Sequence, residues 1–165
     1  MNKAFTKEDE GPQADRLDDL PQSPHPNYVT PAGLADLQRR LCDRHDDLTG
    51  LRGDDLDNKL PRAMAERDIR FLEERLNRAV LVDPATQPAG IVAFGACVTV
   101  ADEDDVQTDW HIVGQDEADP AAHRIAPFSP LARALLGAKV GDLVDWTKPG
   151  GTVELEVIAI RYAAP

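Results

Sequence analysis

Apolar positions follow two rhythms along this chain. Leu34, Leu37, Leu41 and Leu48 recur at steps of three, four and seven, which places one apolar stripe on a helix. Thr30-Pro31 supplies its start, a capping hydroxyl followed by proline at the first helical position, and the stripe runs to about Thr49. Gly50 and Gly53 then break the pattern, with Asp54, Asp55, Asp57 and Asn58 after them. A second stripe, Ala65, Ile69, Leu72, Leu76 and Ala79, steps by four, three, four and three, with Pro61 read as its first turn. This is a coiled-coil seam. Two seamed helices joined by a short polar turn predict an antiparallel hairpin about 30 Å long.

From Val80 the rhythm changes. Val82-Asp83-Pro84 reads as the close of the second helix. Ile91 to Val100 is rich in β-branched residues and reads as a strand, followed by an acidic turn, Asp102 to Asp105. Trp110 to Val113 and His123 to Ile125 read as further strands. Ser129-Pro130 opens a short helix through Leu136, which Gly137 ends. Val140–Thr147 and Thr152–Ile160 form a hairpin about Pro149-Gly150-Gly151. The predicted class is α+β: an N-terminal antiparallel two-helix coiled-coil hairpin, then a small β-sheet domain with one short helix. The boundaries are 1–27 for an acidic, proline-bearing disordered tail, 28–82 for the hairpin and 83–165 for the sheet domain.

Composition sharpens this division. The chain of 165 residues carries a net charge of −12, which disfavours nonspecific attraction to nucleic acid. Ten of its 18 lysines and arginines nevertheless lie in residues 28–80. Cys42 and Cys97 fall in no metal or redox spacing, and neither do the histidines. No leader pattern or membrane-length apolar run is visible, so a cytoplasmic protein without membrane contact is expected. Nucleophile elbows and phosphate loops are absent from the sequence, so an enzyme with its own active site has little support.

Several segments in order resemble one family. Phe94-Gly95-Ala96, Ile112-Val113-Gly114, the run Ser129-Pro130-Leu131-Ala132-Arg133-Ala134-Leu135-Leu136-Gly137, then Lys139-Val140-Gly141-Asp142, Pro149-Gly150-Gly151 and Ile158 to Tyr162 resemble the C-terminal domain of the GreA/GreB transcription elongation factors. Tyr28-Val29-Thr30 with Gly33, and Arg70-Phe71-Leu72 through Val82-Asp83-Pro84, resemble the two ends of that family's helical hairpin. The resemblance implies an FKBP-like C-terminal domain that docks on RNA polymerase at its secondary channel, with the hairpin inserted in the channel. In that picture an acidic tip helps hold Mg²⁺ in the polymerase active site for cleavage of backtracked RNA, and the factor has no cofactor of its own.

Carried onto this chain, the resemblance makes Asp54 and Asp57 the acidic tip, catalytic and Mg²⁺-binding only within polymerase. Phe128, Ser129, Pro130 and Leu131 become the polymerase-docking segment. Arg44, Arg52 and Arg62 become candidates for contact with the nascent RNA 3′ end. The partner is RNA polymerase, and the chain is expected to be a monomer. The family's tip reads G-D-x-x-E-N-A-E-Y. Here Gly53, Asp54 and Asn58 match, Asp57 replaces the glutamate, and the A-E-Y continuation is missing. Each hairpin arm is also shorter by about two turns, on the order of 12 Å of reach. Two alternatives follow: a regulator that occupies the channel without stimulating cleavage, or an adaptor of the Rnk type, the nucleoside diphosphate kinase regulators. From the residues alone, the Asp54–Asn58 cluster also reads as turn and capping chemistry, and the hairpin arginines as ion pairs along exposed helix faces.

Overall fold

The computed structural model describes residues 16–53 and 55–163. Helix α1 runs Pro31–Gly50 and helix α2 Leu56–Asn77. Thr30 caps α1, its hydroxyl accepting the Gly33 N–H at 3.0 Å. The helices pair along the expected seam: Leu37, Ala65, Ile69 and Leu72 are buried between them, with Leu34, Leu41 and Leu76 half-buried alongside. At about 1.5 Å per residue the arms span roughly 30 Å.

Three expectations need correction here. Helix α2 begins at Leu56, not at Pro61, because Asp55 caps it from outside the turn. Pro61 therefore lies inside the helix and deletes the bond its N–H would give to the Asp57 carbonyl. At its other end α2 stops at Asn77, ahead of Val82-Asp83-Pro84. Ala79–Leu81 is instead a strand, β2, parallel to β1 (Asn27–Val29), with Tyr28 opposite Val80. The two chain ends of the hairpin are thus zipped together. Lastly, the part of the expected tail from Arg16 to Pro26 is seated on the hairpin. Asp19 accepts from Arg70 Nε at 2.6 Å, and Gln22 donates to the Phe71 carbonyl at 3.1 Å. Sparse side-chain contacts place it without any regular structure; residues 1–15 lie outside the described residues.

A five-stranded sheet follows, in the order β5-β4-β3-β7-β6: β3 Ala96–Ala101, β4 Gln107–Ile112, β5 Arg124–Ile125, β6 Leu143–Lys148 and β7 Gly151–Tyr162. All neighbours are antiparallel except β4 and β5. Strand β3 begins five residues later than the apolar run suggests. Gly95 turns the chain at φ 87°, where a Cβ would lie 2.9 Å from Pro84 Cγ. The preceding loop is held from β7: the Tyr162 hydroxyl accepts the Ala93 N–H at 2.9 Å and donates to the Ile91 carbonyl at 2.5 Å. Burial pushes the Tyr162 hydroxyl above the ordinary tyrosine range.

One face of the sheet is the core. Val98, Val100, Ile112, Leu155 and Val157 pack there with Leu131, Ala132 and Leu135 of the short helix α3, Pro130–Leu135. The opposite face carries Cys97 and Thr99 of β3, Asp109 and His111 of β4, and Arg161 of β7, adjacent by register. The observed architecture is the α+β arrangement that the two rhythms predict.

Candidate functional site

The hairpin is fixed to the sheet by a buried polar joint. Arg75 of α2 is 2% exposed. Its Nε and Nη2 donate to Asp116 Oδ2 at 2.8 and 2.7 Å, and Nη2 also donates to Asn27 Oδ1. Asn27 returns a bond from Nδ2 to the Arg75 carbonyl at 2.7 Å. Next to Asp116, Glu117 accepts the Thr30 hydroxyl at 2.6 Å and the Gly114 N–H at 3.0 Å. One short loop, Gly114–Glu117, thus grips both helices: α1 through its cap and α2 through its arginine. The approach is close at two glycines. A Cβ at Gly33 would lie 2.3 Å from the Glu117 carboxyl carbon, and one at Gly114 would lie 2.7 Å from the Tyr28 carbonyl oxygen. Aromatic contacts extend the joint toward α3, where the Phe128 ring stacks on His25 at 4.1 Å.

At the far end the tip is closed by backbone chemistry. Asp55 caps α2, accepting the Asp57 N–H at 3.3 Å. Arg62 Nη2 donates to the carbonyls of Leu51 at 2.5 Å and Gly53 at 3.0 Å, so its guanidinium braces the turn. Of the two tip carboxylates singled out in the sequence, Asp57 is exposed in the first turn of α2, and Asp54 lies outside the described residues. No group of three or more His, Cys, Asp or Glu that could hold a metal occurs among the described residues. Arg44 pairs with Asp47 at 3.2 Å, whereas Arg52 is exposed without an ion-pair partner among the described residues. Beside this polar turn the tip shows an apolar stripe to solvent: Leu56 and Leu60 are 76% and 61% exposed, followed one turn on by Met64.

The docking segment is split by the fold. Ser129 caps α3, accepting the Ala132 N–H at 3.3 Å, and Phe128 is half-buried against His25. Leu131 is 2% exposed in the core, so it cannot touch a partner; this corrects its place in that segment. Pro130 and Arg133 are the exposed positions of this turn. On the other side of the sheet, a groove of about 790 Å³ lies between the start of α1 and the open face. In it Asp109 accepts the Thr99 hydroxyl at 2.5 Å and Arg161 Nη2 at 2.8 Å, and these bonds hold its carboxyl below the usual range.

Comparison with known proteins bears on this architecture directly. Residues 87–162 match the family model for the GreA/GreB transcription elongation factor C-terminal domain. Over 151 aligned residues the chain is 37% identical to transcription elongation factor GreA of Rhodospirillum rubrum, covering 81% of this chain and 96% of that one. The chain belongs to the GreA/GreB family. GreA of Azorhizobium caulinodans is 41% identical over 102 residues, 61% of this chain, and GreA of Sphingopyxis alaskensis 44% over 97 residues. These two matches span 65% and 61% of the relatives' own lengths. Among solved structures, Gfh1 of Thermus thermophilus is 27% identical, with 83% of this chain and 99% of that one covered and a TM-score of 0.40.

Within this GreA/GreB chain, the joint is what sequence reasoning missed. Arg75 reads there as one more surface arginine, yet it sits on the seam side of α2 between Leu72 and Leu76. That position was the available signal: an arginine on a buried stripe needs a buried partner. Asp116 and Glu117 carried no periodic signal, because a one-turn loop has none.

Proposed function

We propose that this chain is a transcription elongation regulator that binds RNA polymerase through its sheet domain and holds the shortened hairpin in the secondary channel, occupying it without stimulating cleavage. Its membership of a family whose relatives are named transcription elongation factors supports the general role. The observation that carries the finer reading is the make-up of the tip. Asp55 is engaged as a cap and Arg62 as a brace, the shorter Asp57 stands in place of the family's first tip glutamate, and apolar Leu60 in place of the glutamate of its A-E-Y continuation. Mg²⁺ chemistry would belong to the polymerase; this chain would contribute position, and at most its tip carboxylates, Asp54 and Asp57. The polar joint suits such a role, since it fixes the direction of the hairpin relative to the docking domain.

Two measurements test the reading. The chain should co-sediment with RNA polymerase, and Pro130→Glu with Arg133→Glu should weaken that binding. Loss of binding to polymerase altogether, with capture of a nucleoside diphosphate kinase instead, would favour the adaptor alternative. Backtracked elongation complexes given saturating protein should release no short 3′ RNA fragments. Release that disappears in Asp57→Asn would replace channel occupancy with cleavage.

A further inference from the structure

Beside the seam, Arg40 and Arg44 of α1 and Phe71 and Leu72 of α2 wall a hollow of about 420 Å³, and Leu20 of the N-terminal segment forms another of its walls. The segment is held by contacts spaced along its backbone. Arg70 reads two of them at once: its Nε donates to the Asp19 carboxylate at 2.6 Å and its Nη2 to the Leu17 carbonyl at 2.9 Å. Gln22 Nε2 then donates to the Phe71 carbonyl at 3.1 Å. No backbone ladder supports residues 16–22 among the described residues, and Asp18, Asp19 and Pro21 are exposed. The segment is acidic, and it meets Arg70 directly; the hollow beside it is mixed, with Arg39, Asp43 and Asp68 also in its walls. Half-buried Arg40 has no ion-pair partner among the described residues. The Arg70 hydrogen bond holds the Asp19 carboxyl below its ordinary value, so the contact engages the charged form.

We propose that the hairpin face about Arg70 and Phe71 is a peptide-binding site for an extended, acidic, leucine-bearing segment, and that its occupant is the chain's own Arg16–Gln22, seated as a displaceable strap. The site reads a carboxylate at Asp19, an apolar side chain at Leu20 and an amide at Gln22. Tethering gives the strap a millimolar-scale effective concentration, so weak contacts suffice to keep it seated. While it is seated, Arg70 is closed to other acidic peptides. The proposal is independent of the polymerase reading, because it concerns only the strap and the hairpin.

The full-length chain tests it. In ¹⁵N-resolved spectra the Arg70 Nε–H signal should be slow to exchange, and Asp19→Asn with Leu20→Ser should speed its exchange by about tenfold or more. A labelled peptide of residues 16–22 should bind that double variant about tenfold tighter than it binds the wild-type chain, whose site is already filled. Adding Arg70→Glu should abolish peptide binding, and a peptide carrying Asp19→Lys should restore it. Circular dichroism of the variants confirms that the hairpin is still folded. The proposal fails if the Arg70 signal is indifferent to the strap substitutions. It fails equally if the peptide binds wild type and variant alike, or if Arg70→Glu leaves peptide binding intact.

Discussion

The base of the hairpin and its tip are built by opposite means. At the base, a buried arginine is bonded to one carboxylate and an asparagine, and the neighbouring carboxylate holds the cap of α1, with glycines allowing the backbones to approach. At the tip, one exposed aspartate and one arginine satisfy backbone groups, and leucines face solvent. Buried polar networks are costly to disturb and define one arrangement; exposed ones are tolerant. The fold thus specifies where the hairpin points far more strictly than what its end carries. For a family member with shortened arms this ordering is physically reasonable. Direction is inherited from the sheet domain, whereas the end group can change without unfolding anything.

The contrast is broken most directly at Arg75. Arg75→Met should cost about 3–5 kcal/mol in urea unfolding, because Asp116 and Asn27 stay behind without their partner. A cost below about 1 kcal/mol would show that the base is no stricter than the tip. Gly114→Ala comes next. Its Cβ would meet the Tyr28 carbonyl oxygen, a backbone atom that cannot swing away, so a loss of about 1–3 kcal/mol is expected by thermal or urea unfolding. Gly33→Ala meets a side chain instead, that of Glu117, and should be milder if that carboxylate can move.

This division also explains what the sequence disclosed. The seam Leu37, Ala65, Ile69, Leu72 was legible because a repeating apolar stripe has only one place to go. The Thr30 and Ser129 caps were legible because their chemistry is local. The parallel pair Asn27–Val29 with Ala79–Leu81 was not: three residues carry too little periodicity, and the partners lie some fifty positions apart in sequence. The start of α2 was misplaced because proline at an early helical position and proline inside a helix leave the same mark; only the Asp55 cap separates them. At the candidate site, the tip residues were legible as a cluster, but not that Asp55 and Arg62 would be spent on backbone groups. The joint was hidden because its members, Asn27, Thr30, Arg75, Asp116 and Glu117, meet only through the tertiary fold.

Two smaller effects sharpen the comparison from the other end. Arg62→Ala removes two bonds to the carbonyls of Leu51 and Gly53 in a turn that water can reach. Global stability should fall by less than about 1 kcal/mol, while amide exchange around the Leu51–Leu56 turn quickens. Leu60→Lys should be smaller still. Its side chain is largely in solvent, so the change is expected to stay within about 0.5 kcal/mol at any protein concentration. The concentration series decides what that number means. A loss that grows with protein concentration would place the leucine stripe in a contact between copies. The tip would then be a packed surface, and its apparent tolerance would be a property of the isolated chain alone.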